Sequence, residues 1–597
     1  MTQDKISADV RLQKIFDFMK LRLINFITII ATLLFVGNGN AQVYVNGHRV
    51  AADKMRSLWL CTLPEADFGS DVQVQVTYGD TITALTIDGQ DIISGDSILI
   101  DSLNGAKALS VEALTTDGTT LNAELQFTFL PIVEFAGKFS RIDFVTVPFS
   151  IMRPDDVDIS ALAKIRYRGS LTNQNYIVKR GYRVKFVDAD GNKLDIRPFA
   201  DLREDNNWVL EGGAADRLRV RNHVCAQLWN DMATPPYYFA EQPRARTASR
   251  GQLVEIFLNG EYIGLYNMCE PIDRKQMRLV KYDEETLDIH GLLWKADDRT
   301  LVTLMDTMPP NVPNGNNSQF DKFEIKYPDF EEVKPTDYTP LYNLGVLSAY
   351  ADNETFAAQI ADHVDIPAII DYYIFCEALF AFDSEGKNVY WGCYDRTVSE
   401  KLTPAMWDID VSFGQDWKFA YMHSNRVQPW NDFLTNIYNH HRFLKRLFSL
   451  NVDNFIQKVN ERYTELREYE LSDESLCNRF IEVIDMLKKS GTAAREQNRY
   501  SPDEQLMTNI DFDSELQYIL DWIPRRMQYL DEYVFVEHRI IRGDINDDGI
   551  IDVDDVNGII NMILQTAPIT PIGDANFDSK VDIEDVNTEI NKILSIN

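Results

Sequence analysis

Apolar positions along the chain follow three different rhythms. Between residues 42 and 130 they alternate with polar ones, as in VQVQVTYG and LNAELQFTF, and turn pairs such as Asp88-Gly89 and Asp117-Gly118 separate the runs. Period two with Val, Thr and Ile predicts a small antiparallel β-domain, a sandwich. From 131 to 537 the pattern is mixed. Strand-like pieces come first (AKIRYRG, YRVKFVD), with QLVEIFLNG-EYIGLYNM reading as a hairpin around Asn259-Gly260. The Pro/Asn-rich loop MPPNVPNGNN at 308–317 interrupts, and helical periodicity then dominates, as in IPAIIDYYIFCEALFAF and RFLKRLFSLNVDNFIQKVNERYTELREY. Strands followed by helices predict an α+β arrangement in two lobes. In 540–597 two amphipathic helices appear in tandem, one on Val556, Ile559, Ile560, Ile563 and Leu564, the other on Val586, Ile590, Ile593 and Leu594.

The start of the chain stands outside these rhythms. Lys20 and Arg22, the apolar run Ile24–Val36 and the small residues Gly37–Ala41 read as a signal peptide over 1–41, with an N-terminal membrane anchor as the alternative. The run is shorter than the ~20 residues that span a bilayer, and no later segment is apolar enough to do so. The expectation is an exported protein, secreted or at the cell surface.

Composition narrows the function classes. The length of 597 residues implies several domains, and 45% hydrophobic residues exclude a disordered chain. Lys and Arg total 59 against 92 Asp and Glu, a formal charge of −33, which argues against broad nucleic-acid binding and against adsorption to anionic membranes. It favours cations. The six cysteines (Cys61, Cys225, Cys269, Cys376, Cys393, Cys477) are scattered without a CxxC pair, which excludes a zinc ribbon and leaves one or two long-range disulfides open.

Part of the negative charge has an address. Residues 543–597 carry twelve acids and only Lys580 and Lys592, in a repeat of period 30 that brings Gly543-Asp544 back as Gly573-Asp574. Each copy opens with a twelve-residue loop whose oxygen-bearing side chains occupy positions 1, 3, 5, 9 and 12. Calcium takes six to eight oxygens, and this spacing supplies them. The first set is Asp544, Asn546, Asp548, the Ile550 carbonyl, Asp552 and Asp555; the second is Asp574, Asn576, Asp578, the Lys580 carbonyl, Asp582 and Asp585. Ser579 stands where the first loop has Gly549, which predicts a weaker second site. These residues resemble a type I dockerin, with Asp rather than Glu at position 12 and no helix before either loop. The resemblance implies a small α module with paired EF-hand-like loops that folds on calcium and binds a cohesin-bearing partner. Positions 10 and 11 are Val553-Asp554 and Ile583-Glu584, so the partner's identity, or an intramolecular role, stays open.

The middle region holds a second acidic constellation. FDSEGKNVYWGCYD contains Asp383 and Asn388, and Trp407-Asp408-Ile409-Asp410-Val411-Ser412-Phe413-Gly414 follows. The D-x-x-x-x-N spacing is that of a kinase catalytic loop, in which the Asp accepts a hydroxyl proton and the Asn holds a metal. Side chains alternate along a strand, so an extended WDID segment would offer only one of its two acids to that metal. Together with KIRYRGS, KRGYRVKF, NNWVLEGGAADRLRVRN, VEIFLNGEYIGLYNMCEPID and DWIPRRMQYLDEY, these motifs resemble the CotH kinase family over most of 131–537. The resemblance implies an atypical protein-kinase-like fold using ATP with Mg²⁺ or Mn²⁺. It makes Asp383 the catalytic base, Asn388 and Asp408 or Asp410 the metal ligands, and Arg168 (with the Gly169-Ser170 turn), Lys179 and Lys185 the phosphate-binding candidates. Arg525 and Arg526 are expected to pair with neighbouring acids of the closing helix. The resulting function is phosphate transfer to a protein or surface acceptor. The alternatives are a non-catalytic adhesion protein and a component of a polysaccharide-degrading complex.

Overall fold

The structure is a computed structural model that describes residues 42–169, 177–331, 333–415, 441–500, 510–535, 543–546, 551–576 and 580–595. The expected signal peptide, Ser170 and the loop residues Asp548, Ile550, Asp578 and Ser579 lie outside them.

The period-two region folds as the sequence predicts. One sheet orders the strands His48–Arg49, Val43–Val45, Val72–Tyr78 and Ser97–Ile100; the other orders Ala51–Asp53, Leu58–Thr62, Thr120–Thr128, Ala108–Thr115, Ile82–Ile87 and Gln90–Ile92. Along Ala108–Thr115 exposed and buried residues alternate strictly, so one face fills the core and the other meets water. One pairing departs from the antiparallel expectation: Leu58–Thr62 runs parallel to Thr120–Thr128. A parallel pair needs a long crossover, and here the intervening strands of the sandwich provide it.

The next strands close into a barrel. Its order is Ile132–Phe135, Val145–Met152, Ile159–Arg168, Gly181–Val187, Asn207–Glu211, Glu261–Cys269 and Gly251–Leu258, and the first and last pair in parallel. Phe135, Phe149, Ile165, Val184, Trp208 and Ile256 fill the interior. The Asn259-Gly260 hairpin forms where expected, with φ of 56° and 71°, the pair of positive angles that a type I′ turn requires. Because the barrel inside is apolar, the polar residues of its strands must face outward.

Beyond the barrel lies a five-stranded sheet, ordered Gln319–Phe320, Phe323–Tyr327, Leu292–Ala296, Val389–Cys393 and Leu402–Met406, with helices that include Ile366–Leu379, Asp473–Lys489, Thr492–Tyr500 and Phe512–Tyr529. The molecule thus has an N-terminal β-rich region and a helical C-terminal region. The sandwich is joined to the barrel rather than strung beside it: Ala51, Leu58 and Leu60 share a core with Ile132, Met152, Phe257 and Tyr262, and the Tyr262 N–H donates to Asp53 Oδ2 at 2.9 Å. All six cysteines are free, so no long-range disulfide contributes. Among the described residues no helix is long and apolar enough to cross a membrane.

At the C-terminus the helices Val553–Ile563 and Ile583–Ser595 pack on each other through Val556, Ile559, Ala575 and Val586. Leu564 and Leu594, counted above as part of the buried stripes, are instead 65% and 66% exposed. They sit at the helix ends, past the reach of a core built by only two helices.

His441 is fully buried, and neither ring nitrogen has a hydrogen-bond partner among the described residues. Burial alone pushes its pKa down to about 3. The unfolded chain therefore binds a proton near pH 6.5 that the folded chain refuses, and stability falls as pH drops below that value. Between pH 7 and pH 5 this group should cost about 2 kcal/mol. Thermal unfolding of wild type and His441→Phe at both pH values checks it: the substitution should remove about that much of the acid sensitivity.

Candidate functional site

The site is assembled on the turn after the helix Ile366–Leu379. That helix ends at Phe380, with φ of 50°, and Arg526 of the closing helix grips its last turn. The Arg526 Nε and Nη2 donate to the Glu377 carbonyl at 3.1 and 2.8 Å, and Nη2 lies 3.1 Å from the Glu377 carboxylate. Both side chains are fully buried. Arg525 pairs with Asp521 of its own helix at 2.8 Å, as the sequence suggests. Arg526 does not: it points inward, because Ile519, Trp522, Ile523 and Met527 on that face are buried and its charge needs a partner there.

The chain then makes a single 3₁₀ turn, Phe382–Ser384, that carries Asp383. Tyr372 Oη donates to the Ser384 carbonyl at 2.7 Å, and Arg299 donates from Nε to the Glu385 carbonyl at 3.1 Å and from Nη2 to the Phe382 carbonyl. Asn388 closes the loop at φ of 57°, a left-handed conformation that Asn tolerates better than most residues. Its amide N–H donates to Ala296 O at 2.9 Å, and its Nδ2 donates to Asp383 Oδ2 at 3.2 Å. Asp383 and Asn388 are therefore brought together as their spacing predicts. Lys387, which sequence reading passed over, lies 2.9 Å from both Asp383 oxygens. Burial raises the Asp383 pKa, Lys387 pulls it down, Asp408 pushes it up and Arg299 opposes that.

The WDID segment is not extended. It follows the strand Leu402–Met406, and Asp408 takes φ of 61°, which breaks the strand alternation. The Ile409 N–H donates to Asn222 Oδ1 at 2.9 Å, fixing the bend. The extended segment, in which only one of the two acids would serve the site, is therefore not what forms. Asp410 has its pKa raised well above the usual carboxylate range, first by burial, then by Asp408, Asp216, Asp383 and Glu211. Four other carboxylates thus act on one group, and protonation or a cation must offset them.

Among the described residues no three His, Cys, Asp or Glu side chains sit close enough to form a ready-made metal cage. Magnesium keeps several waters and uses one or two carboxylates together with substrate phosphates. Asn388, Asp408 and Asp410 supply an amide and two carboxylates of that kind beside Asp383, and the depressed acidity of Asp410 marks the charge a divalent cation would relieve.

Arg168 approaches this acidic group from the barrel. Its guanidinium lies 3.7 Å from Glu211 and stacks over Trp407 at 5.1 Å. Glu211 also accepts from Asn222 at 2.8 Å and Asn267 at 3.2 Å. Burial raises the Glu211 pKa, Arg168 lowers it and Asp408 raises it. A cleft lined in part by Glu211, Asn222, His223, Asn267, Trp407 and Asp408 opens here. Lys185 lies further along the same outer face of the barrel, its Nζ 5.0 Å from the Phe144 ring.

Lys179 does not join them. It is fully buried, and its Nζ meets Glu496 at 3.0 Å and lies over the rings of Tyr266 and Tyr500. Glu496 also accepts from Arg219 Nε at 2.8 Å and the Leu265 N–H at 2.8 Å. Desolvation brings the Lys179 pKa down to about 7, and Glu496 opposes it. Its role is to dock the helix Thr492–Tyr500, and the lysine-bearing motif in the sequence carries no sign of this because Glu496 is 317 residues away. Removing the shared acid leaves two cations buried together. Glu496→Gln should therefore lower stability by about 3–5 kcal/mol, read by denaturant unfolding. A loss below about 1 kcal/mol would show that the cluster is not needed to dock the helix.

No curated protein matches this chain. One solved structure, the full-length tri-modular endo-β-1,4-glucanase B (Cel5B) from Bacillus halodurans, is similar at 10% identity over 25% of this chain and 34% of that one, with a TM-score of 0.10, too low to carry an argument. The family model described as CotH kinase protein matches residues 165–530, which spans the basic barrel strands, the Asp383 turn, the WDID bend and the closing helix. The chain belongs to the CotH kinase protein family.

Proposed function

We propose that this chain is a secreted phosphotransferase that moves phosphate from ATP to a hydroxyl on a protein or surface acceptor, and that its C-terminal module is a calcium-dependent dockerin that binds a cohesin-bearing partner. The observation that carries the kinase reading is the Asp383–Asn388 contact, within electrostatic reach of Asp408 and Asp410. Asp383 takes the proton from the acceptor hydroxyl at its carboxylate, whose raised pKa makes it a better base than a solvated Asp. Lys387 and Asn388 hold that carboxylate in place. Asn388, Asp408 and Asp410 hold Mg²⁺ or Mn²⁺ with ATP, and the metal supplies neutralisation of phosphate charge. Arg168, beside Glu211 and Trp407, would meet the phosphates, and catalysis would be positioning and electrostatics rather than covalent chemistry.

The test is transfer from labelled ATP with magnesium or manganese to a generic acceptor. Asp383→Ala should lower transfer by at least 10²-fold, the usual contribution of a general base. Wild-type rate should fall as pH drops through the raised Asp383 pKa, because the protonated acid cannot accept. Wild-type protein that shows neither transfer nor a nucleotide-dependent thermal shift would remove the reading.

For the tail, support comes from how each loop closes. Asp555 Oδ1 accepts from the Ile545 N–H at 2.7 Å and its Oδ2 from the Asp552 N–H at 2.9 Å; Asp585 repeats this with the Ala575 N–H at 2.7 Å and the Asp582 N–H at 2.8 Å. Asp544 and Asp574 are also nearly fully buried, and buried acids in so acidic a segment call for cations. A 540–597 fragment should gain helical circular dichroism on adding calcium and lose it on chelation. A spectrum indifferent to calcium would sink the dockerin reading.

A further inference from the structure

A cavity of about 340 Å³ opens in the β-sandwich and shares no residue with the cleft beside Asp408. It arises from a mismatch in strand length. The parallel pairing of Leu58–Thr62 with Thr120–Thr128 begins at Leu58 opposite Glu124, so Thr120–Ala123 run on past the end of their neighbour. The turn from Lys54 to Ser57, which links Asp53 to Leu58 in the adjoining hairpin, closes one end of the gap. Ser57 holds that turn with φ of 51°, a value uncommon outside Gly, Asn and Asp. The Glu124 N–H donates to the Ser57 carbonyl at 2.8 Å. Backbone groups alternate sides along a strand, so those of Asn122 and Thr120 also point into the gap, where no strand pairs with them. The floor is apolar: Ala52, Leu121 and Ala123 pack, half-buried, on the core that contains Trp59. Trp59 lines the cavity and is 5% exposed, and none of the described residues accepts a hydrogen bond from its indole N–H. A buried indole N–H usually has a partner. The rim does not suit an ion. Asp53 is engaged by the Arg56 guanidinium at 2.8 Å and by the N–H groups of Met55, Arg56 and Tyr262, which leaves Lys54 as the one charged lining residue without a partner among the described residues.

We propose that this cavity binds a neutral pyranose sugar whose ring substituents are all equatorial, a β-linked glucose or xylose unit. Such a ring has two C–H faces and a belt of hydroxyls that both donate and accept. The apolar floor takes one face. The open backbone groups of Thr120 and Asn122, the Ser57 hydroxyl, the Trp59 N–H and the Lys54 ammonium surround the belt with donors and acceptors, the few convergent polar groups that fix a small ligand over an apolar surface. A peptide strand added to the same open edge is the poorer occupant. The gap is four residues long, fewer than the ~5–6 of an average strand, and the turn blocks one end of it. The site stands independently of the phosphotransfer and calcium readings.

The test is isothermal titration of the full chain with cellobiose, xylobiose and β-mannobiose, whose rings each carry an axial hydroxyl, and with a hexapeptide of alternating Thr and Val. Cellobiose or xylobiose should bind, and mannobiose more weakly. Trp59→Phe, which keeps an aromatic ring and removes the N–H, should weaken binding about fivefold, the worth of one hydrogen bond. Ala123→Leu, which fills the floor, should weaken it at least as much. Leu99→Ser, at an exposed position of the other sheet, should leave it unchanged. No binding of cellobiose or xylobiose by wild type, tighter binding of mannobiose, unchanged binding in both floor variants, or an equal loss in Leu99→Ser overturns the site. Binding of the hexapeptide in place of the sugars overturns it in favour of strand addition. Melting temperatures of the unliganded variants separate lost binding from lost fold. If neither floor variant folds, Lys54→Ser on the exposed rim carries the test: it should weaken binding about threefold, and an unchanged affinity overturns the site.

Discussion

Buried ion pairs between the C-terminal helices and everything before them hold this architecture together. Arg526 fixes the helix that leads to Asp383 through Glu377, and Glu515 shares Arg221 with Asp216 at 2.6 Å from each. Glu496 gathers Lys179 and Arg219 against the barrel, and Arg495 makes a two-pronged pair with Glu255 of a barrel strand at 2.8 Å. Each joins residues 149 or more apart in sequence, save the local Arg221–Asp216 contact. Such pairs cost desolvation, and breaking one leaves an uncompensated charge. They therefore penalise any arrangement in which the helices are not seated, and the turn bearing Asp383 is a consequence of that seating.

The site between them is left electrically unfinished. On one side Asp410 is surrounded by Asp408, Asp216, Asp383 and Glu211; on the other Arg183 is flanked by Arg168 and Arg166. The two groups touch at Arg168, Glu211 and Asp408 and are otherwise not paired with each other. A fold selected only for stability would have matched them. The cleft beside Arg168 is lined by the acids Glu211 and Asp408 together with Asn222, His223, Asn267 and Trp407. The scaffold's pairs of Lys179 with Glu496 and Arg526 with Glu377 are fully buried, whereas the site's pairs, Lys387 with Asp383 and Arg168 with Glu211, keep partial access to solvent.

Much of this was legible in the residues. Strict alternation gave the sandwich, Asn259-Gly260 gave a hairpin of the barrel, and D-x-x-x-x-N gave a loop whose two ends meet at 3.2 Å. Arg166 and Arg183 were legible in principle too, since cations two residues apart on a strand share a face, but only the cross-strand register shows that they face each other. The burial of Lys179 against Glu496 was not legible, because a lysine in KRGYRVKF looks the same whether it meets a phosphate or a glutamate from the far end of the chain. The bend in WDID was not legible, because one positive φ at Asp408, invisible in the sequence, undoes the alternation.

By itself the sequence determined the local elements, the internal repeat at the C-terminus and the identities of the acids at the centre, because periodicity, turn chemistry and short spacings act over a few residues. Only the tertiary structure decided which charges are paired and which are left waiting. That outcome depends on contacts between residues far apart in the chain and on burial, which sets the cost of every unpaired charge.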